Sequence, residues 1–124
     1  MIIIDSSLWI EYFENNDYKD LLNSLLNEPT KIIVPTIIIT EVYKKLLLVK
    51  DSDTAKIYIS QFRSFIIIEN DYDIALQSSE LGIKYKLPLA DSIIYATAMK
   101  YNSEIYTLDK HFEGLPNVQY FEKK

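Results

Sequence analysis

Met1-Ile2-Ile3-Ile4-Asp5-Ser6-Ser7 opens the chain with three consecutive β-branched residues that run into a carboxylate and two hydroxyls. An unbroken apolar run suits a strand covered on both faces, as in a parallel sheet; a half-exposed strand would alternate apolar with polar. Ser6 and Ser7 are good helix N-cap residues, and Leu8, Trp9, Tyr12 and Phe13 recur at helical spacing, so the order is strand, acid, helix start. In open α/β sheets ligands bind at that junction. An Asp before a helix is also often a simple cap that accepts a backbone N–H, so further carboxylates in comparable positions must decide between site and cap.

The length of 124 residues predicts one domain, residues 1–124, with a real core. With 48% hydrophobic residues, two Gly and four Pro, the connections should be short and disorder is excluded. The absence of cysteine rules out disulfides and thiolate metal sites, and one histidine, His111, cannot form a histidine cluster. Any metal is therefore expected to be held by oxygen, with His111 a surface residue in a turn without an evident partner. No basic segment precedes the short apolar run, so neither a signal peptide nor a transmembrane helix is expected, and the predicted location is cytoplasmic. A net charge of −5 argues against gripping nucleic acid by overall electrostatics, but not against a nuclease, because divalent ions bound to carboxylates reverse the local field.

Along the chain, Tyr18, Leu21, Leu22, Leu25 and Leu26 predict a second helix, paired with the first as a hairpin and stopped at Pro29. Ile32-Ile33-Val34 reads as the second strand, and Pro35-Thr36 opens a long helix with Ile39, Val42, Tyr43, Leu46 and Val49 on one face. Glu41 lies off that stripe. It has two readings, an exposed ion pair with Lys44 or Lys45, or a carboxylate on the same side as Ile37 and Ile38. Asp51-Ser52-Asp53 re-caps the chain before a helix carrying Ala55, Tyr58, Ile59, Phe62 and Phe65; Ile66-Ile67-Ile68 follows as strand three. Asp71 and Asp73 fit the first turn of the next helix, and Gly82 within it allows close packing. Leu87-Pro88-Leu89-Ala90-Asp91-Ser92 begins a helix that is apolar on nearly all sides, so Asp91 opens a buried helix and its lone pairs need partners. Glu104-Ile105-Tyr106-Thr107 is the fourth strand, followed by Asp109 in the position Asp5 has after the first, and Val118-Gln119-Tyr120-Phe121 is a last edge strand. Strands separated mostly by helices give an α/β fold with a five-stranded, mainly parallel sheet flanked by helices.

If the first and fourth strands are neighbours, Asp5 and Asp109 face each other across a topological switch point, where Glu41 and Asp91 can join them. Four carboxylates so close repel unless a cation or a proton joins them, and Mg²⁺ or Mn²⁺ is the natural occupant. Such a site suits in-line attack on a phosphodiester.

Asp5-Ser6-Ser7-Leu8-Trp9-Ile10, the helical Glu41, Leu87-Pro88-Leu89-Ala90-Asp91-Ser92-Ile93-Ile94 and Thr107-Leu108-Asp109-Lys110-His111-Phe112 resemble, in order and spacing, the motifs of the PIN-domain ribonucleases. The length is similar to that of the VapC-type toxins of toxin–antitoxin pairs, and the resemblance covers essentially the whole chain. It implies strand order 3-2-1-4-5, an acidic quartet of Asp5, Glu41, Asp91 and Asp109 that is both catalytic and metal-binding, and support from Ser6 and Thr107. It further implies Mg²⁺- or Mn²⁺-dependent cleavage of RNA, a homodimer, and inhibition by a small antitoxin. Two features depart from the family pattern: Tyr95 stands where a small residue is common, and Arg63 is the sole arginine, which leaves RNA binding to lysines such as Lys44, Lys45, Lys84, Lys86 and Lys110.

Two other readings compete. A phosphoacceptor receiver domain is also a five-stranded α/β fold holding Mg²⁺ among aspartates, but it expects paired acids after strand one, an aspartate ending strand three and a lysine ending strand five; Asp5-Ser6, Glu69 and Phe121 stand there instead. A silent PIN scaffold that binds a partner is the other. For the partner surface, the sequence suggests the large apolar residues Trp9, Tyr12 and Phe13 of the first helix, the leucines of the second, and Tyr43 and Leu46 to Leu48 of the third, more than one small core readily buries.

Overall fold

The computed structural model of the protein describes residues 1–123. Elements follow in the order β1 (Ile2–Ile4), α1 (Ser6–Asn15), α2 (Lys19–Leu26), a 3-10 turn (Pro29–Lys31), β2 (Ile33–Pro35), α3 (Thr36–Val49), α4 (Ser52–Ser60), a 3-10 turn (Gln61–Ser64), β3 (Ile66–Ile68), α5 (Tyr72–Tyr85), α6 (Leu89–Lys100), β4 (Glu104–Thr107), a 3-10 turn (Lys110–Phe112) and β5 (Val118–Tyr120). Asp51 and Asp71 cap α4 and α5, accepting from Thr54 N at 2.8 Å and Ile74 N at 2.9 Å.

Every strand pair is parallel, as helical crossovers require. The expected single five-stranded sheet is instead two pieces, β1-β4-β5 and β2-β3, joined at one bridge between Ile2 and Ile32. Strands of three or four residues hold few rungs, the twist between neighbours separates them quickly, and Pro35 at the end of β2 has no N–H to give. The register that matters for the site is that of β1 on β4: Ile4 lies opposite Tyr106, and Asp5 N extends the ladder by donating to Tyr106 O at 2.9 Å. Asp5 therefore arrives beside Thr107.

The apolar residues proposed for a partner surface divide by face. Trp9, Leu22 and Leu46 are fully buried and Phe13 nearly so, whereas Leu47 and Leu48 are 44% and 74% exposed. The cover that a count by residue type overlooks comes from α4 and the 3-10 turn that follows it. The turn folds Phe62 onto Trp9 with ring centroids 4.7 Å apart, and Tyr58 stacks on Phe13 at 5.2 Å. The expected α1–α2 hairpin is loose; α1 lies mainly on α3 and touches α2 through Tyr12 Oη and Asn23 Oδ1 at 3.3 Å.

Helix α6 is buried from Asp91 to Ala98. Its approach to α5 is set at Gly82, where an added Cβ would come within 3.1 Å of Ser92 Cβ. Tyr95, the departure from a small residue, is accommodated in the core: its hydroxyl donates to Pro116 O at 3.0 Å and its ring meets Tyr85 edge-on at 5.4 Å.

Candidate active site

Asp5 occupies the N-cap position of α1 with extended backbone, yet its side chain makes no capping bond. Its Oδ2 instead accepts from Ser7 Oγ at 2.8 Å and Thr107 Oγ1 at 2.7 Å. Each hydroxyl has a single proton to give, so the two oxygens, 3.4 Å apart, use their lone pairs to accept from Leu108 N at 3.0 Å and Asp109 N at 2.9 Å. Five residues from opposite ends of the sequence are thereby locked at the mouth of β1 and β4. Asp5 Oδ1 is buried and has no hydrogen-bond partner among the described residues. Burial pushes the Asp5 carboxyl above its ordinary pKa, the Thr107 and Ser7 hydroxyls pull it back, and the charge of Asp109 raises it again.

Glu41, half-buried on α3, accepts from Ser6 Oγ at 3.0 Å; among the described residues it forms no ion pair with Lys44 or Lys45. Burial raises its pKa against the Ser6 bond, with added repulsion from Asp5 and Asp109. Asp91 sits in the first turn of α6, where the helix N-terminus favours negative charge. Even so, burial first, then the charges of Asp109, Asp5 and Glu41, push it up to about 8. Asp109 differs from Asp5 in being a true cap: Oδ1 accepts from His111 N at 2.9 Å and closes the turn Lys110–Phe112. Asp91 thus feels the charge of all three other acids, Glu41 that of Asp5 and Asp109, and Asp5 that of Asp109.

His111 is on the surface as expected but is not without a partner. Its Nδ1 lies 2.9 Å from Asp109 Oδ1 and 3.2 Å from Asp91 Oδ2. Ser7 is the other residue whose role the sequence left undrawn, since either serine of the Asp-Ser-Ser step could have served as a plain cap. The signal for His111 was its spacing two residues after a strand-end aspartate, which a one-residue 3-10 cap brings back onto that carboxylate.

The lysines are dispersed. Lys44 and Lys45 border a groove of about 350 Å³ together with Ser6, Ile10, Glu41 and Leu48, so it runs directly into the acidic site. Lys110 is exposed beside Asp109. Lys84 lines a different groove, between α5 and α6, with Gln77 and Lys100, and Lys86 is the left-handed C-cap of α5.

Several carboxylates whose negative charge is not balanced locally, one of them with a buried oxygen lacking any donor, fit an oxygen-binding divalent cation better than they fit each other. Hydrolytic chemistry on a phosphodiester is what such a donor set supports.

Several solved structures are similar to this chain in fold. A chain from a toxin–antitoxin complex of Klebsiella pneumoniae superposes with a TM-score of 0.81 at 28% identity, covering 99% of this chain and 100% of that one. VapC20 of Mycobacterium tuberculosis, described as a sarcin–ricin loop cleaving toxin, is similar in fold with a TM-score of 0.76 at 16% identity over 95% of this chain and 97% of that one. VapBC2 of Rickettsia felis, solved on a promoter DNA fragment, gives 0.77 at 17% identity over 98% of both chains. No curated protein sequence matches significantly. Residues 2–117, nearly the entire length, match the PIN domain, and the chain belongs to that family.

Proposed function

We propose that residues 1–124 form a single PIN-like domain that acts as a divalent-metal-dependent endoribonuclease, the toxin of a toxin–antitoxin pair, working in the cytoplasm as a homodimer. The observation that carries this reading is Asp5: a buried carboxylate at a strand end, fixed by two hydroxyls on one oxygen, with the other oxygen lacking a hydrogen-bond partner among the described residues and the charge of Asp109 near it. Asp5, Glu41, Asp91 and Asp109 would hold Mg²⁺ or Mn²⁺, which supplies electrophilic stabilisation to the charge developing on the phosphodiester and activates the attacking water.

The chain's own contribution is order. Thr107 and Ser7 hold Asp5, Ser6 holds Glu41, and the first turn of α6 holds Asp91, so the acids stand in place before an ion or substrate arrives. Lys44 and Lys45, in the groove beginning at Glu41, and Lys110 beside Asp109 offer the phosphate contacts that the acidic centre cannot. A small antitoxin as partner is supported by the toxin–antitoxin complexes among the similar structures.

The family match removes the receiver-domain alternative. A silent scaffold is separated by experiment: purified protein is incubated with total RNA in Mg²⁺, in Mn²⁺ and in chelator, alongside a Mn²⁺ titration. Metal-dependent fragments with internal cut sites are expected. Intact RNA together with no Mn²⁺ binding would leave only the scaffold.

A further inference from the structure

The acidic residues account for the oxygen donors of the site and leave His111 without a role. Its side chain is 57% exposed, so the core does not require it there, and yet its Nδ1 is held within hydrogen-bond distance of two different carboxylates. The backbone fixes this placement. His111 N donates to Asp109 Oδ1, and the next residue, Phe112, is fully buried and anchors the turn. One ligand atom from each of Asp91, Asp109 and His111 lies within 4.8 Å of the other two.

Resting on the proposal that this site holds a divalent ion, we infer that His111 is itself a ligand of that ion, and that its imidazole biases the site towards nitrogen-binding ions such as Co²⁺ and Mn²⁺ over Mg²⁺. The spacing suits a shared ion. Ligand atoms at neighbouring corners of an octahedron with bonds of roughly 2.1 Å lie about 3 Å apart, close to the observed 2.9 and 3.2 Å from Nδ1 to the two carboxylates. Ligation needs the Nδ1 lone pair, so the ring proton must sit on Nε2; a ring more than half exposed can place that proton in solvent without a protein acceptor. Carboxylates and water suit Mg²⁺, whereas imidazole adds selectively to the affinity of transition ions, in the order Mn²⁺ below Co²⁺. Asp5 Oδ1, buried and without a hydrogen-bond partner among the described residues, is a separate sign that the acidic site lacks a positive partner. The competing role is a hydrogen-bond donor that merely orients Asp91 and Asp109, which would help every ion alike.

Because His111 is the only histidine in the sequence, untagged protein gives an unambiguous test. Mn²⁺ is bound to it and pulsed EPR reads whether an imidazole nitrogen couples to the ion; calorimetry gives the Co²⁺ and Mg²⁺ affinities of the parent and of His111→Ala. Imidazole coupling in the parent is expected, together with a loss of tenfold or more in the Co²⁺ to Mg²⁺ affinity ratio in the variant. Mn²⁺ bound without nitrogen coupling, or an affinity ratio unchanged in His111→Ala, would overturn the ligand role and leave the acidic site standing. Mn²⁺ that fails to bind, or binds equally to Asp91→Asn, would remove both. Should His111→Ala fold poorly, the parent spectrum alone decides.

Discussion

Thr107 Oγ1 gives its proton to Asp5 Oδ2 at 2.7 Å across 102 residues of sequence, and takes one from Asp109 N at 2.9 Å. One hydroxyl thus ties together the two strand-end aspartates on β1 and β4. Its removal should loosen both without opening a cavity. In Thr107→Val, Asp5 loses the larger of the two side-chain hydrogen bonds that counter its desolvation, and Asp109 N loses its acceptor. Divalent-ion affinity and RNA cleavage are expected to fall roughly 10- to 100-fold, the range typical of losing a group that orients a ligand. Thr107→Ser should recover most of both. Isothermal titration with Mn²⁺ and a cleavage time course check this; a valine variant with parental metal affinity would show that Ser7 alone suffices.

Asp91→Asn should abolish cleavage while leaving the metal-free protein as stable or more so. The native state keeps this carboxyl from ionising up to about 8, chiefly by burial and by the charge of Asp109. An amide removes that penalty, so thermal denaturation in chelator at pH 8 should show an unchanged or higher Tm. Asp5→Asn should likewise be inactive. If both variants unfold instead, the acids are structural caps and the site assignment fails.

The same residue fixes the sign of a pH dependence. An unfolded Asp titrates near 3.9, whereas native Asp91 holds its proton to about 8, with Asp5 and Glu41 also raised. Between those limits the folded state binds more protons than the unfolded one, so metal-free stability must fall as pH rises from about 4.5 to about 8. The slope is at most about 1.4 kcal/mol per pH unit for one full proton, and smaller here because neighbouring acids share it. Below that window Asp51, Asp71 and Glu11, whose pKa values are lowered, begin to protonate and the trend reverses. Added Mn²⁺ should raise Tm more at pH 8 than at pH 5, since at pH 5 protons compete for the same oxygens. Denaturation at several pH values with and without chelator tests this, and a metal-free Tm rising from pH 5 to 8 would contradict it.

Much of this fold was legible because its decisive signals are local. Ile2-Ile3-Ile4, Ile66-Ile67-Ile68 and Glu104 to Thr107 are strands where their composition puts them, and Pro29, Pro35 and Pro88 each mark a boundary. The break between β2 and β1 was not legible, because it depends on twist between strands far apart in sequence. Nor was the fate of Trp9 and Leu46: hydrophobic residues announce that they will be covered, but not by what, and over Trp9 the cover came from Phe62. At the site, the positions of the acids followed from strand ends and helix starts. The contacts of Ser7 with Thr107 and Leu108, and of His111 with Asp91, arose from side chains far apart in sequence, which no single segment encodes.

Burial also decides where a partner surface can be tested. Leu46 is fully buried, and an unpaired carboxylate there should cost several kcal/mol, enough to unfold a small domain. Leu48, 74% exposed on the same helix, tolerates charge. Leu46→Glu should therefore be insoluble or unfolded by circular dichroism, and Leu48→Glu should melt within a degree or two of the parent. A folded, stable Leu46→Glu protein would mean that α3 is not packed as described.

The last prediction concerns how an acidic protein holds a polyanion. The net charge is −5, so attraction must be local, and the groove shared by Ser6, Ile10, Glu41, Lys44, Lys45 and Leu48 is where cations adjoin the acids. Among the described residues neither Lys44 nor Lys45 forms an ion pair with Glu41, and both border the groove where a phosphate would approach. Each phosphate contact releases counterions, and for a single strand the log–log salt slope of binding changes by about 0.7 per contact. Lys44→Gln with Lys45→Gln should weaken binding of a single-stranded RNA several-fold at low salt and make its salt dependence shallower by roughly 1.4 in slope. Cleavage measured at saturating RNA should be affected far less than cleavage at low RNA, because the lysines bind substrate and the carboxylates act on it. Binding isotherms at several salt concentrations, made in Ca²⁺ to slow hydrolysis, provide the readout. An unchanged slope in the double variant would place the RNA path elsewhere, with the Lys110 side of the acidic site the next to test.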